Sequence, residues 1–257
     1  MNKVGLLFRY ERLLERLDAA CGAAGRRRSE VTLVAVSKLH PAEAVAVLRD
    51  AGQRDFGENY MQEALQKLQE LESAKNESHE DRNFFGQGMC DPGGIRWHFI
   101  GQLQSRKAAQ AVGIFALIHS LDSRKPADAL ERRLAPVGCR QSVLIQVNLC
   151  AEPQKSGIMA EDLPALADYI SQECPHLDLR GLMCLPPVFD AGDAARPHFA
   201  QLYALREGLR TRLLLPLPEL SMGMSCDFEA AVAEGATLVR IGTDIFGPRP
   251  LAQSVHI

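Results

Sequence analysis

The chain alternates between short apolar segments and segments with helical periodicity, and this alternation runs along most of its length. Apolar runs of about four to eight residues are typical of strands that are buried on both faces of a parallel sheet. We predict eight such strands, each followed by a helix or a helix-sized segment. They cover residues 31–37, 54–57, 96–100, 115–119, 142–148, 179–184, 219–222 and 237–241.

Eight βα units in 257 residues predict an α/β fold of the TIM type, a (β/α)8 barrel. A doubly wound open sheet is the alternative, but it usually has fewer strands and a glycine-rich first turn. The first turn here reads Ser-Lys-Leu-His-Pro over residues 37–41. An extra helix is predicted before the first strand, because leucines recur at helical spacing between Leu6 and Leu17. The sequence has no repeat or linker, so we expect a single domain over 1–257.

Composition and charge exclude several classes of function. A formal net charge of −3 does not indicate a nucleic-acid or membrane partner. Apolar stretches all fall short of the ~20 residues that span a bilayer, and charges interrupt the N-terminal segment, so we expect a cytoplasmic location. The seven cysteines and seven histidines show neither a C-x-x-C nor an H-E-x-x-H spacing, which makes a disulfide framework or a metal site unexpected. The polar, glycine-containing segment 73–94 is predicted to be a long surface loop.

In a barrel of this type the active site is built where the strands end. Each predicted strand is followed by residues that could carry chemistry. They are Lys38, Glu58 and Asn59, residues 101–104, Asn148, Met183 and Cys184, residues 221–225, and Gly242 with Thr243.

The loops after the seventh and eighth strands often bind phosphate in barrels, next to a helix N-terminus. Gly223 and Gly242 would let the backbone approach a phosphate closely, and Ser225 and Thr243 can donate hydroxyl hydrogen bonds. Small residues at strand ends are also ordinary turn residues.

Lys38 directly follows a strongly apolar strand. A partly desolvated lysine can present a free amine that attacks a carbonyl and forms a Schiff base, although a solvated lysine that opens a loop is the alternative. An amine combined with a phosphate site is what pyridoxal 5′-phosphate (PLP) requires.

Arg240 lies within an apolar strand and needs an anion or a strong acceptor. It could reach a pyridine nitrogen, or it could form a salt bridge with Glu219 or Asp244. His98 alternates with aromatic residues, and we interpret it as a hydrogen-bonded barrel residue rather than a catalyst.

These motifs occur together, and in the same order, in one known family. The sequence resembles the YggS/PROSC family of PLP-binding proteins, also called PLP homeostasis proteins. The segments that carry the resemblance are 33–38 (LVAVSK), 56–60 (FGENY), 97–104 (WHFIGQLQ), 147–148, 155–158 (KSGI), 181–183, 220–225 (LSMGMS), 239–243 (VRIGT) and 245–247.

The resemblance implies a barrel like the N-terminal domain of alanine racemase, the fold type III class of PLP proteins. It implies that Lys38 forms a Schiff base with PLP and that Arg240 faces the pyridine nitrogen. It further implies that Asn59 lies beside the ring. The phosphate would be held by Ser225, Gly242 and Thr243. Cys226 and Asp244 depart from the family pattern and raise a question about the charge near the phosphate.

The same resemblance implies a protein that holds PLP reversibly, contributes to PLP homeostasis and to amino- and keto-acid balance, and has no established catalytic activity. We expect PLP itself as the ligand, apo-enzymes as possible recipients, no nucleic-acid or membrane partner, and a monomer. An amino-acid racemase is the alternative. Racemisation needs a base on each face of the ring. In alanine racemase the second base is a tyrosine. The tyrosines of this chain, Tyr10, Tyr60, Tyr169 and Tyr203, all lie in predicted helices, and the sequence ends 14 residues after Thr243, so we expect no second base.

Overall fold

The computed structural model describes residues 2–73, 94–150, 152, 155–187 and 189–248. The strands in these ranges are β1 (Thr32–Val36), β2 (Asp55–Glu58), β3 (Arg96–Phe99), β4 (Leu117–Leu121), β5 (Gln141–Asn148), β6 (Ile158–Met159), β7 (Leu177–Cys184), β8 (Glu219–Ser221) and β9 (Leu238–Ile241). They are joined in the order β4-β3-β2-β1-β9-β8-β7-β5-β6, and β4 also pairs with β5. Every pairing is parallel. The pairing of β4 with β5 closes eight strands into a barrel, which confirms the predicted (β/α)8 fold.

Helices surround this barrel. They are α1 (Lys3–Ala23), α2 (Ala42–Asp50), α3 (Met61–Ser73), α4 (Ala108–Ala111), α5 (Arg124–Leu134), α6 (Leu163–Glu173), α7 (Arg196–Leu213), α8 (Phe228–Ala233) and α9 (Thr243–Phe246). The extra N-terminal helix, α1, lies against α9, where Nε of Arg9 donates to the carbonyl oxygen of Ile245 (2.9 Å). Within the described ranges, no helix combines the length and the apolar character needed to cross a bilayer.

Successive side chains along each strand point alternately outward and inward, and this divides the core into two parts. The larger part lies between the strands and the helices and includes most of the buried apolar side chains. A separate small cluster takes one residue from each of five strands: Val34, Leu117, Leu144, Met183 and Leu238. Because these residues alternate with those of the larger core, we place them inside the barrel.

Some elements differ from their sequence-based predictions. The fourth strand begins at Leu117, two residues later than predicted, because Phe115 packs against Phe99 with ring centroids 5.2 Å apart instead of joining the ladder. The predicted helix at 105–111 is a 3-10 turn followed by a single α-helical turn. Strand β6 was not predicted, because two residues are too few to show a period. The predicted loop at 73–94 falls almost entirely outside the described residues.

Gly181 gives a direct test of this barrel. Its φ is 150°, and an added Cβ would lie 1.9 Å from the carbonyl oxygen of Glu219 on the neighbouring strand β8. Gly181→Ala therefore has to push β7 and β8 apart, and we expect it to lower the free energy of unfolding by at least about 3 kcal/mol. Urea denaturation measures this loss.

Gly208→Ala is the matched control. Gly208 is exposed in helix α7, and no atom lies within 4 Å of its added Cβ. Alanine loses less backbone entropy than glycine in a helix, so this variant is expected to gain about 0.5–1 kcal/mol. A Gly181→Ala variant as stable as the wild type would contradict the described packing of β7 against β8.

Candidate functional site

Lys38 lies in a tight turn directly after β1, at the carboxyl end of the barrel, and its side chain is partly buried. A hydrogen bond from the backbone N–H of His40 to the carbonyl oxygen of Ser37 (3.0 Å) closes the turn. Leu39 has a φ of 64°, a left-handed conformation that costs a non-glycine residue about 1–3 kcal/mol. Strain of this kind is concentrated at functional sites, so the turn itself marks a candidate site.

Charged groups behind this turn fix the residue that precedes Lys38. The Oγ of Ser37 donates to Oε1 of Glu58 (2.6 Å), and the carbonyl oxygen of Ser37 accepts from Nζ of Lys67 (2.6 Å). Nζ of Lys67 also donates to Oε1 of Glu58 at 2.6 Å. Ser37 is therefore held at both its backbone and its side chain.

The residue after Lys38 is held by the same group of side chains. The backbone N–H of Leu39 donates to Oε1 of Glu63, which also accepts from Nζ of Lys67 at 2.7 Å. We refer to Glu58, Glu63 and Lys67 as the Lys67 cluster. The cluster stabilises the strained Leu39 conformation and leaves the backbone on either side of Lys38 little freedom to move.

The Lys67 cluster contains a buried carboxyl group, Glu58, whose charge needs a nearby cation. Glu58 is fully buried, and burial raises the pKa of its carboxyl group against the opposing effects of Lys67 and Ser37. Its second oxygen, Oε2, has no hydrogen-bond partner among the described residues. Lys67 is therefore the main group that compensates this buried charge.

The loops after β8 and β9 each contain a glycine that the local packing requires. Gly223 has a φ of 93°, and an added Cβ would lie 2.6 Å from the Cβ of Ala231. An added Cβ on Gly242 would lie 3.2 Å from the carbonyl oxygen of Val36. Because β1 and β9 are neighbours in the barrel, Gly242 lies beside the turn that carries Lys38.

Hydroxyl and amide donors lie close to Gly242. The Oγ of Ser225 accepts the backbone N–H of Asp244 (3.4 Å), and its own hydrogen has no acceptor in the described part of the chain. Thr243 is exposed. The Asp244 carboxylate pairs with Nη1 of Arg16 (2.6 Å), which neutralises its charge, and burial together with a neighbouring carboxylate raises the pKa of the Cys226 thiol. The two departures from the family pattern therefore add no unpaired negative charge here.

Arg240 lies inside the barrel with only 4% of its surface exposed. Its Nη1 donates to Oγ of Ser221 (2.5 Å), and its Nη2 donates to the carbonyl oxygen of Cys184 (2.9 Å). Burial lowers the pKa of this guanidinium. The predicted alternative, a salt bridge with Glu219 or Asp244, is wrong, because both terminal nitrogens of Arg240 bind Ser221 and Cys184 instead.

Asn59 follows β2, the strand on the other side of β1 from β9. Its backbone is packed so tightly that an added Cβ on Gly101 would lie 1.9 Å from the Asn59 carbonyl oxygen. Its side-chain Oδ1 is buried and has no hydrogen-bond partner within the described ranges. A buried acceptor without a partner costs about 1–3 kcal/mol, which is typical of a position that a ligand completes.

Other strand-end candidates have structural roles. The Nδ2 of Asn148 donates to the backbone carbonyl of Glu152 (2.9 Å) and so shapes the loop after β5. Met183 belongs to the apolar cluster inside the barrel. Burial raises the pKa of the Cys184 thiol to about 12, which keeps it protonated and unreactive.

One tyrosine is placed differently from its prediction. Tyr60 precedes helix α3 instead of lying within it, directly follows Asn59, and is 55% exposed. Tyr10 and Tyr169 lie in helices as predicted, where they donate to Gln53 (3.1 Å) and Asp128 (2.7 Å). Tyr60 is therefore the tyrosine to consider at the carboxyl end of the barrel.

Comparisons with known proteins, by family model, sequence and structure, agree with one another. A family model described as the alanine racemase N-terminal domain matches residues 12–250. A pyridoxal phosphate homeostasis protein of Pseudomonas aeruginosa is 44% identical over 235 residues, covering 91% of each chain, and one of Aquifex aeolicus is 39% identical over 241 residues, covering 94% of this chain and 97% of that protein. The chain belongs to the pyridoxal phosphate homeostasis protein family. A solved structure of PipY from Synechococcus elongatus PCC7942 with PLP bound is 38% identical, with a TM-score of 0.73, and the alignment covers 85% of this chain and 93% of that one.

Several residues in and around this site were not predicted from the sequence. The apolar residues of α3 repeat at positions 61, 64, 68 and 71, and Lys67 lies on that same face, which was a signal that the lysine is buried. Asp55 and His119 were also missed, although each is a polar residue at an inward-facing strand position. Ser221 lies in the predicted candidate segment 221–225, but its hydrogen bond with Arg240 was not predicted. The structure confirms that His98 is a hydrogen-bonded barrel residue. Within the described ranges, no group of three or more His, Cys, Asp or Glu side chains is arranged to hold a metal ion.

Removing the lysine tests the role of the Lys67 cluster. Lys67→Met leaves Glu58 buried without its cation, so we expect the free energy of unfolding to fall by about 3–5 kcal/mol. Urea denaturation measures the loss. The double variant Lys67→Met/Glu58→Gln removes the uncompensated charge and is expected to recover part of it.

Lys125→Met provides the control, because Lys125 is exposed at the start of α5 and should change the stability by no more than about 0.5 kcal/mol. If Lys67→Met behaved like Lys125→Met, the cluster would have no stabilising role.

Proposed function

We propose that this protein binds PLP on Lys38 and stores and releases the cofactor instead of using it in a dedicated reaction. The observation that carries the proposal is the position of Gly242 against the end of β1, next to the clamped turn of Lys38. An amine and a small-residue loop suited to phosphate are thereby neighbours at the carboxyl end of the barrel, where such barrels bind their ligands.

The surrounding residues fit the functional groups of PLP. When bound, PLP supplies an aldehyde to which a primary amine can add, and Nζ of Lys38 is the amine at this site. Gly242 allows the backbone to approach the phosphate, and Ser225 and Thr243 offer hydroxyl donors. Arg240 has N–H groups beyond the two already engaged, and it would donate one to the ring nitrogen.

Asn59 supports the same placement. Its buried Oδ1 lacks a partner in the described part of the chain, and it follows the strand beside β1. We propose that Asn59 lies beside the ring and that a group of the cofactor completes its hydrogen bonding. The relatives agree with this proposal: curated relatives are called pyridoxal phosphate homeostasis proteins, and PipY has been solved with PLP bound.

Storage fits the site better than catalysis does. Racemisation needs a second base on the face of the ring opposite the lysine. Among the described residues, the tyrosine closest in sequence to a proposed ligand is Tyr60, and its high exposure does not favour a controlled proton transfer. We propose that the protein acts in the cytoplasm as a monomer, maintains PLP supply and amino- and keto-acid balance, and passes PLP to apo-enzymes.

A racemase remains the second candidate because Tyr60 lies at the carboxyl end of the barrel, directly after Asn59. The two functions make different predictions for the α-hydrogen of alanine. A storage protein loaded with PLP exchanges this hydrogen with D2O no faster than free PLP does, whereas a racemase exchanges it much faster.

Lys38→Ala tests the binding proposal. The wild type is incubated with PLP and gel-filtered, and we expect it to retain visible absorption from the bound cofactor. Lys38→Ala removes the only amine that we assign to the aldehyde, so the visible band should be lost and the dissociation constant should rise at least about tenfold.

Lys125→Ala, an exposed lysine in α5, should behave like the wild type and so excludes non-specific reaction of PLP with surface amines. A colourless wild type, or a Lys38→Ala variant that keeps the full band, would contradict the proposal. Exchange of alanine hydrogen by the wild type but not by Tyr60→Phe would favour the racemase.

A further inference from the structure

A line of hydrogen-bonded polar side chains crosses the inside of the barrel and ends at Arg240. The Oγ of Ser221 lies 2.7 Å from Nδ1 of His119, Nε2 of His119 lies 2.8 Å from Nδ1 of His98, and Nε2 of His98 lies 3.0 Å from Oδ1 of Asp55. All five residues are at most 6% exposed. We call these five residues the interior chain: Arg240, Ser221, His119, His98 and Asp55.

The direction of every bond in the interior chain follows from counting hydrogens. Arg240 can only donate, so Ser221 accepts from it and needs an acceptor for its own buried hydrogen. The acceptor within reach is Nδ1 of His119. A neutral His119 then carries its hydrogen on Nε2 and donates it to His98, and His98 in turn carries its hydrogen on Nε2 and donates to Asp55. In each bond the donor is therefore the residue nearer Arg240 and the acceptor is the residue nearer Asp55.

Two further observations support this direction. Burial holds the pKa of His119 well below its usual range, and the positive charge of Arg240 acts in the same direction, so His119 is neutral. At the other end, Asp55 also accepts Nε of Arg96 (2.7 Å). Hydrogen bonds from His98 and Arg96 lower the pKa of Asp55 against the opposing effect of its burial. The chain therefore ends on a carboxylate, as its direction requires.

Arg240 gains a fixed orientation from this arrangement. Its two terminal nitrogens are bound to Ser221 and to the carbonyl oxygen of Cys184, and two anchors define the plane of a guanidinium. The Cys184 anchor is backbone. The Ser221 anchor is a hydroxyl that could rotate, and it presents a lone pair to Arg240 only while its hydrogen is directed at His119.

We propose that His119, His98 and Asp55 are positioning residues that act through Ser221 to set how Arg240 meets the ring nitrogen of PLP. This inference rests on the proposed function, because it assigns the ring nitrogen to Arg240. We assign no contact with the ligand to His119, His98 or Asp55, and their role is to fix the hydroxyl hydrogen of Ser221.

Two substitutions at His119 separate positioning from simple packing. In His119→Asn the side-chain oxygen takes the place of Nδ1 and can still accept the Ser221 hydrogen. In His119→Gln the terminal amide takes the place of Nε2, which keeps a donor for His98 but removes the acceptor for Ser221. Both variants replace a buried imidazole with a smaller amide, so a purely structural role would affect both in the same direction.

PLP titration monitored by visible absorption gives the first readout. His119→Gln is expected to raise the dissociation constant of PLP about tenfold, the value of one well-oriented hydrogen bond, and to shift the visible band. His119→Asn is expected to stay within about twofold of the wild type. Equal behaviour of the two folded variants, whether both impaired or both unchanged, would overturn the proposal.

Nitrogen-15 NMR of histidine-labelled wild type without PLP gives a second readout that needs neither a variant nor the cofactor. We expect His119 and His98 to be neutral with the hydrogen on Nε2. A hydrogen on Nδ1 of His119 would overturn the proposed direction. If the tautomers are as expected but the wild type fails to bind PLP, the interior chain stands and the proposed function fails.

Discussion

A guanidinium buried inside a barrel is the constraint on which the rest of this site depends. A charge removed from water must be hydrogen-bonded and compensated, or it destabilises the fold by several kcal/mol. Arg240 meets this requirement through a backbone carbonyl on one side and a polar chain that reaches a carboxylate on the other. Polar side chains occupy one inward position on each of β2, β3, β4 and β8, which makes this part of the barrel interior unlike the apolar level formed by Val34 and its neighbours.

A second constraint acts on the opposite side of β1. Lys38 has to be presented from a turn whose next residue, Leu39, adopts a left-handed conformation. The Lys67 cluster compensates for this strain by binding the backbone before and after Lys38. Charged groups to which we assign no cofactor contact, the Lys67 cluster and Asp55, thus support the site from two sides, and the residues proposed to touch the cofactor remain available for binding.

Much of this could be predicted from the sequence because the information is local. Strand and helix periods gave the barrel, and the rule that barrel sites lie at strand ends selected Lys38, Asn59, Gly242 and Thr243. The supporting residues depend on which strands become neighbours, and no local pattern encodes that. His98 and His119 are 21 positions apart, Ser221 is a further 102 positions away, and their contact exists only once the barrel closes. The burial of Lys67 could be inferred from its position on the apolar face of α3. No sequence pattern indicated that Lys67 and its partners bind the backbone on either side of Lys38.

We propose that Lys38 holds PLP, and a chemical experiment tests this most directly. Borohydride reduces a carbon–nitrogen double bond between an amine and PLP to a stable amine, and peptide mass spectrometry can then locate the phosphopyridoxyl group. We expect stoichiometric labelling of the peptide that contains Lys38, with little label on other lysines. Label distributed over surface lysines, with the Lys38 peptide unmodified, would contradict it.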